Sequence, residues 1–248
     1  MEHMSAVDKA VELLFHLHRA PDAQGVTRIG RALGLPKSSA HRLLTALGRR
    51  GLVERDPRGR YAPGIGLVAL GLGALQREPA VVAARSVLAA EADALGETVF
   101  LVGARGDRLV VLDKVEGTGF LRAAPQVGSS VPVHATAVGK LFLAHAGDEI
   151  APPAGPLRRF TERTRTDARG LAAEVALARE RGFAENREEW IPGLWVVAAP
   201  VLVRGRILAA VAVAASVPRM ESLGSIRVAR RAQGAAGRIA SRLEGAAP

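Results

Sequence analysis

From Ser5 onward the apolar positions fall at helical spacing. Val7, Ala10, Val11, Leu14 and Leu17 recur every three to four residues, the period that places side chains on one face of an α-helix. Ser5 and Asp8 resemble a capping box in which Asp stands where Glu is usual. The spacing predicts a helix over 6–18, stopped by Ala20-Pro21-Asp22. Val26, Ile29 and Leu33 predict a short second helix ending at Gly34, within which Gly30 costs up to about 1 kcal/mol relative to Ala. Pro36 suits the first turn of a third helix, where its missing N–H is not needed. That helix carries Ala40, Leu43, Leu44 and Leu47 at i, i+3, i+4 and i+7 and ends at Gly51. Its opposite face holds Ser38, Arg42, Thr45 and Arg49, with His41 alongside. Residues 52–55 and 60–62 read as short strands around Asp56-Pro57-Arg58-Gly59, a β-hairpin with a basic tip.

Residues 63–77 place Ile65, Val68, Leu72 and Leu75 at helical spacing but include four glycines. They read as a linker helix. Another helix follows over 79–95 and stops at Gly96. Strands then dominate: 98–104 and 108–115 flank the turn Arg105-Gly106-Asp107, and 120–123 reads as a third strand. Residues 134–145 are helical, with Val138, Leu141, Phe142 and Ala144 as the apolar positions. Residues 152–165 are loop-like. Asp167 can cap a helix to Arg181, closed by Gly182. Two apolar strands, 194–203 and 207–215, flank Arg204-Gly205-Arg206, and 226–243 is a basic helix. There is no internal repeat or low-complexity block.

The 248 residues are 48% apolar, enough for one large domain or a small one plus a medium one. The absence of cysteine removes disulfides, thiolate metal sites and cysteine nucleophiles together and suits a reducing compartment. Residues 1–9 lack the basic and then apolar pattern of a signal peptide. The longest apolar stretches, 194–203 and 207–217, fall short of the roughly 18 residues that a bilayer span needs. A cytoplasmic protein with no membrane partner is the expectation.

The net charge is +10, and its placement says more than its size. Between Gln24 and Arg60 there are nine Lys and Arg against two acids, Glu54 and Asp56. Arginine-rich composition is one account of that window. The other is an electrostatic footprint for a polyanion. Three short helices followed by a basic hairpin form the winged helix-turn-helix arrangement. Its third helix would pack by its leucines and leave Lys37, Ser38, Ser39, His41, Arg42 and Thr45 free to enter a major groove. Arg42 suits a bidentate contact to guanine. Ser38 and Ser39, near the helix start, suit phosphate or mixed contacts. Arg58 and Arg60 would meet backbone or minor groove, so double-stranded DNA is the expected partner. A small helical domain with a solvated basic face is the plainer alternative.

Catalysis finds less support. His134 and Lys140 invite an enzymatic reading, but no carboxylate pair or nucleophile elbow accompanies them. The six histidines are scattered, and His16 with His18 cannot share a helix face. No catalytic residue, metal site or cofactor is expected. Trp190 and Trp195 flank Pro192-Gly193 and suit a lid or an interface.

Particular motifs sharpen this picture. Gly34-Leu35-Pro36-Lys37-Ser38-Ser39 and His41-Arg42-Leu43-Leu44 resemble the DNA-binding module of the IclR family of transcriptional regulators. Val131-Pro132-Val133-His134-Ala135-Thr136-Ala137-Val138-Gly139-Lys140 resembles that family's effector-domain signature. So do Arg181-Gly182-Phe183-Ala184, Glu188-Glu189, Pro192-Gly193 and Ala198-Ala199-Pro200. The resemblance runs from about Ser5 to Leu243. It implies an α+β two-domain chain: a winged helix-turn-helix in 1–62, a linker helix in 63–78, and a GAF-like α/β effector-binding and oligomerisation domain in 79–248. It also implies a pocket lined by Ala137, Val138, Asn186, Val196, Ala212 and Ala214.

Family members that bind small hydroxy or keto acids tend to offer acidic, thiol or hydroxyl side chains at several of these places. Here stand Val196, Ala212 and Ala214, with Asn186 in place of an acid. Such a pocket compensates the desolvation of a very polar ligand poorly, so the expected effector is larger and partly apolar, an aromatic or medium-chain carboxylic acid. Backbone N–H groups from Ala137 to Gly139, at a helix start, would receive its carboxylate. Val196, Ala212 and Ala214 as plain core is the competing account. The family pattern further implies a homodimer or dimer of dimers on paired half-sites of a (pseudo)palindromic operator. A second domain that only assembles subunits is the runner-up.

Overall fold

The computed structural model describes residues 5–119, 125–146, 150–151 and 155–245. The chain divides into two compact units, Met1–Arg77 and Glu78–Pro248.

The first unit begins with α1 (Ala6–Arg19), whose capping box is formed: the Ser5 hydroxyl accepts from the Asp8 amide while the Asp8 carboxylate accepts from the Ser5 amide. Next come α2 (Val26–Ala32) and α3 (Lys37–Arg49). Pro36 is the residue before the first helical one, so it caps the helix and does not occupy its first turn. Strands β1 (Val53–Arg55) and β2 (Tyr61–Pro63) pair antiparallel, Arg55 opposite Tyr61. Leu13, Leu17, Ile29, Leu44, Val53 and Tyr61 make the core, so helices and hairpin share one apolar centre. Helix α4 (Ile65–Gln76) buries none of its residues in this unit.

Gly30 is not the weak point that helix propensity suggests. A Cβ there would lie 2.9 Å from the Leu35 carbonyl oxygen and 3.7 Å from Ala40 Cβ. The missing side chain is what lets α2 and its turn approach α3 closely.

The second unit opens with α5 (Pro79–Leu95), which stops at Gly96 in the left-handed conformation. Strands β3 (Thr98–Arg105) and β4 (Arg108–Val115) form a hairpin, followed by β5 (Ser130–Val131) and α6 (Ala137–His145). Then come α7 (Ala168–Arg181), β6 (Ala184–Arg187), β7 (Leu194–Val203), β8 (Arg206–Ser216), α8 (Val217–Leu223) and α9 (Ser225–Gly245). Six strands form one antiparallel sheet in the order β5-β4-β3-β8-β7-β6. Helices α5 and α9 pack against this sheet, and α6 sits in a separate apolar cluster with Phe100, Val102, Val196, Ala198 and Ala212. Coverage of both faces explains why β7 and β8 are apolar almost without alternation.

The strand expected at 120–123 lies outside the described residues. The helix expected from His134 starts at Ala137, because Thr136 caps it. Strands β5 and β6 and helix α8 have no counterpart among the expected elements. Strand β6, Ala-Glu-Asn-Arg, lies at the sheet edge and lacks an apolar period; α8 is a single short segment after Ser216.

The Gly30 geometry makes a direct prediction. Gly30→Ala should destabilise the first unit by about 1–3 kcal/mol, the usual cost of overpacking, although alanine is the better helix former. Chemical denaturation of the full chain reads this as a lower midpoint; a raised midpoint would contradict the close approach.

Candidate functional site

Two places gather chemistry, one in each unit. In the first, α3 is anchored by Ala40 and Leu44, which are 0% and 1% exposed. That anchoring leaves Lys37, Ser38, His41, Arg42 and Thr45 exposed, with Ser39 half-buried. Arg42 forms no hydrogen bond or ion pair among the described residues. The Thr45 hydroxyl donates to the His41 carbonyl at 2.9 Å and keeps only acceptor capacity. No side chain caps the start of α3, so its first N–H groups remain open to an anion.

The hairpin tip separates the two arginines grouped by sequence. Asp56 Oδ1 accepts from the amides of Arg58 and Arg60 at 2.9 and 2.8 Å, and Asp56 Oδ2 accepts from Arg60 Nε at 2.8 Å. Arg60 is therefore half-buried and ion-paired, whereas the Arg58 side chain stands exposed. The backbone hydrogen bond from Arg60, with further help from its guanidinium and from Arg58, holds the Asp56 carboxyl below its ordinary range.

Sequence reading also missed Gln24, whose backbone exchanges hydrogen bonds of 2.9 and 2.8 Å with Tyr61. Its side chain meets His16 Nε2 at 3.0 Å. The segment before α2 is thereby tied to the hairpin. Between α3 and the hairpin runs a groove of about 570 Å³ lined by His41, Thr45, Gly48, Glu54 and Arg55 among others.

In the second unit, Asn186, Val196 and Ala214 lie directly side by side across β6, β7 and β8, and Ala198 pairs with Ala212 one step along. Ala137, Val138, Asn186 and Val196 line a mostly apolar cavity together with Phe100, Pro125, Val131, Thr136, Trp190 and Leu194. Ala212 and Ala214 do not reach it; they belong to the apolar cluster around it. Gly139 plays a different part from the one expected. Its N–H donates to Thr136 Oγ1 at 3.0 Å, so it is not free for a carboxylate, and a Cβ would fall 1.8 Å from the Val133 carbonyl oxygen. Trp190, expected with Trp195 to suit a lid or an interface, is a wall of this cavity.

Lys140, on the next position of α6, is 3% exposed. Its Nζ donates to Glu189 Oε1 at 2.6 Å and to the Glu185 carbonyl at 3.0 Å. It also lies 2.7 Å from Glu174 Oε2, whose other oxygen accepts from Arg165 Nη2 at 3.0 Å. Burial pushes the Glu189 carboxyl up, and Lys140 only partly offsets it. Burial also acts against ionised Glu174, but Lys140 and Arg165 together outweigh it and hold that carboxyl below its ordinary range. Among the described residues no group of three or more His, Cys, Asp or Glu could hold a metal ion, and no single helix is long and apolar enough to cross a membrane.

A helix-turn-helix with an attached hairpin, in one chain with a helix-covered antiparallel sheet that encloses a small cavity, defines a two-domain DNA-binding regulator. The comparisons agree. The IclR helix-turn-helix domain matches residues 6–57, and the domain described as bacterial transcriptional regulator IclR C-terminal matches 72–241. The chain belongs to the IclR family of transcriptional regulators. It is 35% identical over 218 residues to the probable transcriptional regulator SauR of Cupriavidus necator, covering 86% of each chain. It is similar to the crystal structure of the Thermotoga maritima IclR, with 27% identity, a TM-score of 0.82, and coverage of 97% of this chain and 99% of that one. It also shares its fold with an IclR homologue of Microbacterium hydrocarbonoxydans solved with 4-hydroxybenzoate, at 23% identity and a TM-score of 0.77, covering 98% and 100% of the two chains.

The hairpin geometry sets a pH prediction. A carboxyl held low keeps its contribution above its unfolded value and loses it only as pH falls through the folded one. The amide resonances of Arg58 and Arg60 should therefore titrate with a midpoint below the ordinary aspartate value of 3.8. An NMR titration with a midpoint at or above that value would contradict the turn.

Proposed function

We propose that the chain is a ligand-responsive regulator that reads a (pseudo)palindromic operator through paired α3 helices and senses a small, partly apolar organic acid. The unpaired Arg42 on the exposed face of α3 is the observation that carries the DNA half of this reading. An arginine that is already ordered on a helix and has no internal partner is ready for guanine O6 and N7. Lys37, Ser38, Ser39, His41 and Thr45 surround it as backbone and base contacts. Arg58 reaches the adjoining backbone or minor groove, and Arg60 does so only by giving up part of its pairing with Asp56. The groove between α3 and the hairpin suits a passing phosphodiester strand.

Assembly as a homodimer or dimer of dimers is supported by unpartnered apolar surface. Val7, Val11 and Phe15 follow one stripe of α1, and α4 exposes Ile65, Val68, Leu70 and Leu72. Soluble monomers rarely leave such patches open. In this reading residues 1–62 bind DNA, 63–78 transmit, and 79–248 sense and assemble. The protein works in the cytoplasm without catalysing a reaction.

The effector reading rests on the cavity bounded by Ala137, Val138, Asn186 and Val196, with Ala212 and Ala214 in the apolar layer behind them. Gly139 shapes the start of α6. Asn186 is already bonded, through its Nδ2 to the Ala135 carbonyl and its Oδ1 to the Glu189 amide, both at 2.9 Å. A site with so few free polar groups favours an aromatic or medium-chain acid over a glyoxylate-sized one. The 4-hydroxybenzoate bound by the Microbacterium protein belongs in the test panel on these grounds. A second reading, in which 79–248 only assembles subunits, draws support from the cavity's volume of about 20 Å³. A saturable thermal shift separates the two.

Two measurements test the proposal. Arg42→Ala should weaken binding to a selected operator by about 1–3 kcal/mol and relax preference at one base position of each half-site; equal affinity across operator variants would defeat the assignment. Calorimetry with a panel of acids should favour aromatic or medium-chain members, and preference for glyoxylate-sized acids would defeat the effector class.

A further inference from the structure

Residues 188–193 cross from β6 to β7 as a strap, and its two sides face different cavities. Asn186 and Trp190 line the small cavity of about 20 Å³. Glu189, between them, faces a second cavity of about 240 Å³ on the other side, bordered by Lys140, Glu174 and Arg187. Lys140 stands three positions beyond Ala137 on α6, the helix whose start walls the first cavity. A single buried cation therefore ties that wall to the strap.

The strap is held and strained at once. Glu188 has φ of 61°, a region that non-glycine residues seldom adopt without support from their surroundings. The support is visible. Thr161 and Thr164 hydroxyls donate to the Glu188 and Glu189 carbonyls, each at 2.6 Å. Glu188 Oε1 accepts from the Gly193 amide at 2.9 Å. The bond from Lys140 Nζ to Glu189 Oε1 joins two opposite charges, the stronger kind of hydrogen bond; the strap's other charged contact, Arg163 Nε to Glu188 Oε2 at 3.2 Å, involves a half-exposed arginine and not α6. The small cavity, at about 20 Å³, has room for about one water, far less than the several hundred Å³ of an ordinary ligand pocket. A ligand enters only if a wall moves.

We propose that Lys140 is the positioning residue of this pocket: through Glu189 it keeps the strap and its Trp190 shut, and effector entry works against that bond. This rests on the effector-sensing reading, but its structural half can be tested without any effector. The chain has two tryptophans, Trp190 and Trp195. In a Trp195→Phe background the fluorescence of the full-length protein reports Trp190 alone; in a Trp190→Phe background it reports Trp195.

Lys140→Met should raise acrylamide quenching of Trp190 by about threefold or more, the mark of a locally opened segment, and leave Trp195 quenching unchanged. Glu189→Leu, which leaves Lys140 paired with Glu174, should do the same and decides the matter if Lys140→Met does not fold. Glu189→Gln keeps an oxygen for Lys140 but loses the opposite charge, and should fall between wild type and Glu189→Leu. Unchanged Trp190 quenching in the folded variants, or an equal rise at both tryptophans, would overturn the proposal. With 4-hydroxybenzoate as the probe, faster association with an opened variant than with wild type supports the gating role. If no acid of the panel binds either form, effector sensing falls while the quenching result still stands.

Discussion

Where Leu44 of α3 joins Leu13, Leu17 and Ile29 in one buried core, the covered apolar contact turns the helix to one rotation about its own axis. Burying a leucine side chain contributes about 1.5–3 kcal/mol, so rotating α3 to hide Arg42 would lose that gain and desolvate a charge. The direction of every polar side chain on the helix follows from this contact. The hairpin is referred to the same centre, because Val53 and Tyr61 are part of that core and Gln24 is bridged to Tyr61. Helix and hairpin therefore keep a fixed relation, which a reader of one stretch of DNA requires.

The second unit is governed by a different constraint. A sheet covered on both faces has no solvated side, so each polar group inside it needs a partner. Lys140, Asn186, Thr136 and Thr164 all have one; Thr136 bonds the Pro132 carbonyl, while Lys140, Asn186 and Thr164 all bond Glu189 in the segment between β6 and β7. The cavity exists where that polar seam meets the apolar layer around Val196 and Ala198. A ligand held there alters DNA affinity only to the extent that it binds the DNA-competent and incompetent arrangements unequally.

Much of this was legible in the residues. The leucine spacing of α3, the capping pair Ser5 and Asp8, and the stops at Gly51, Gly96 and Gly182 all follow from local chemistry that does not depend on the rest of the chain. What escaped depends on distance in sequence. Gly30 looks like a defect until Leu35 is placed beside it. Arg58 and Arg60 look alike until Asp56 engages one of them. Lys140 finds Glu189 and Glu174, 49 and 34 positions away, and no periodicity announces such a pair. Strand β6 lies at the sheet edge and is too polar to register as a strand. Ala212 and Ala214 carry no polar atom that would separate a pocket wall from a core position, and the fold places them behind the wall.

In the proposed reading, DNA meets this protein on the exposed face of α3. Hydroxyl-radical footprinting of the full chain, free and bound to a duplex selected from a random pool, tests it most directly. Protection is expected at His41 and Arg42 and at the hairpin around Arg58, with the arginines of α9 unchanged. Protection centred on Arg227 and Arg230 of α9, with α3 as reactive as in the free protein, would contradict it.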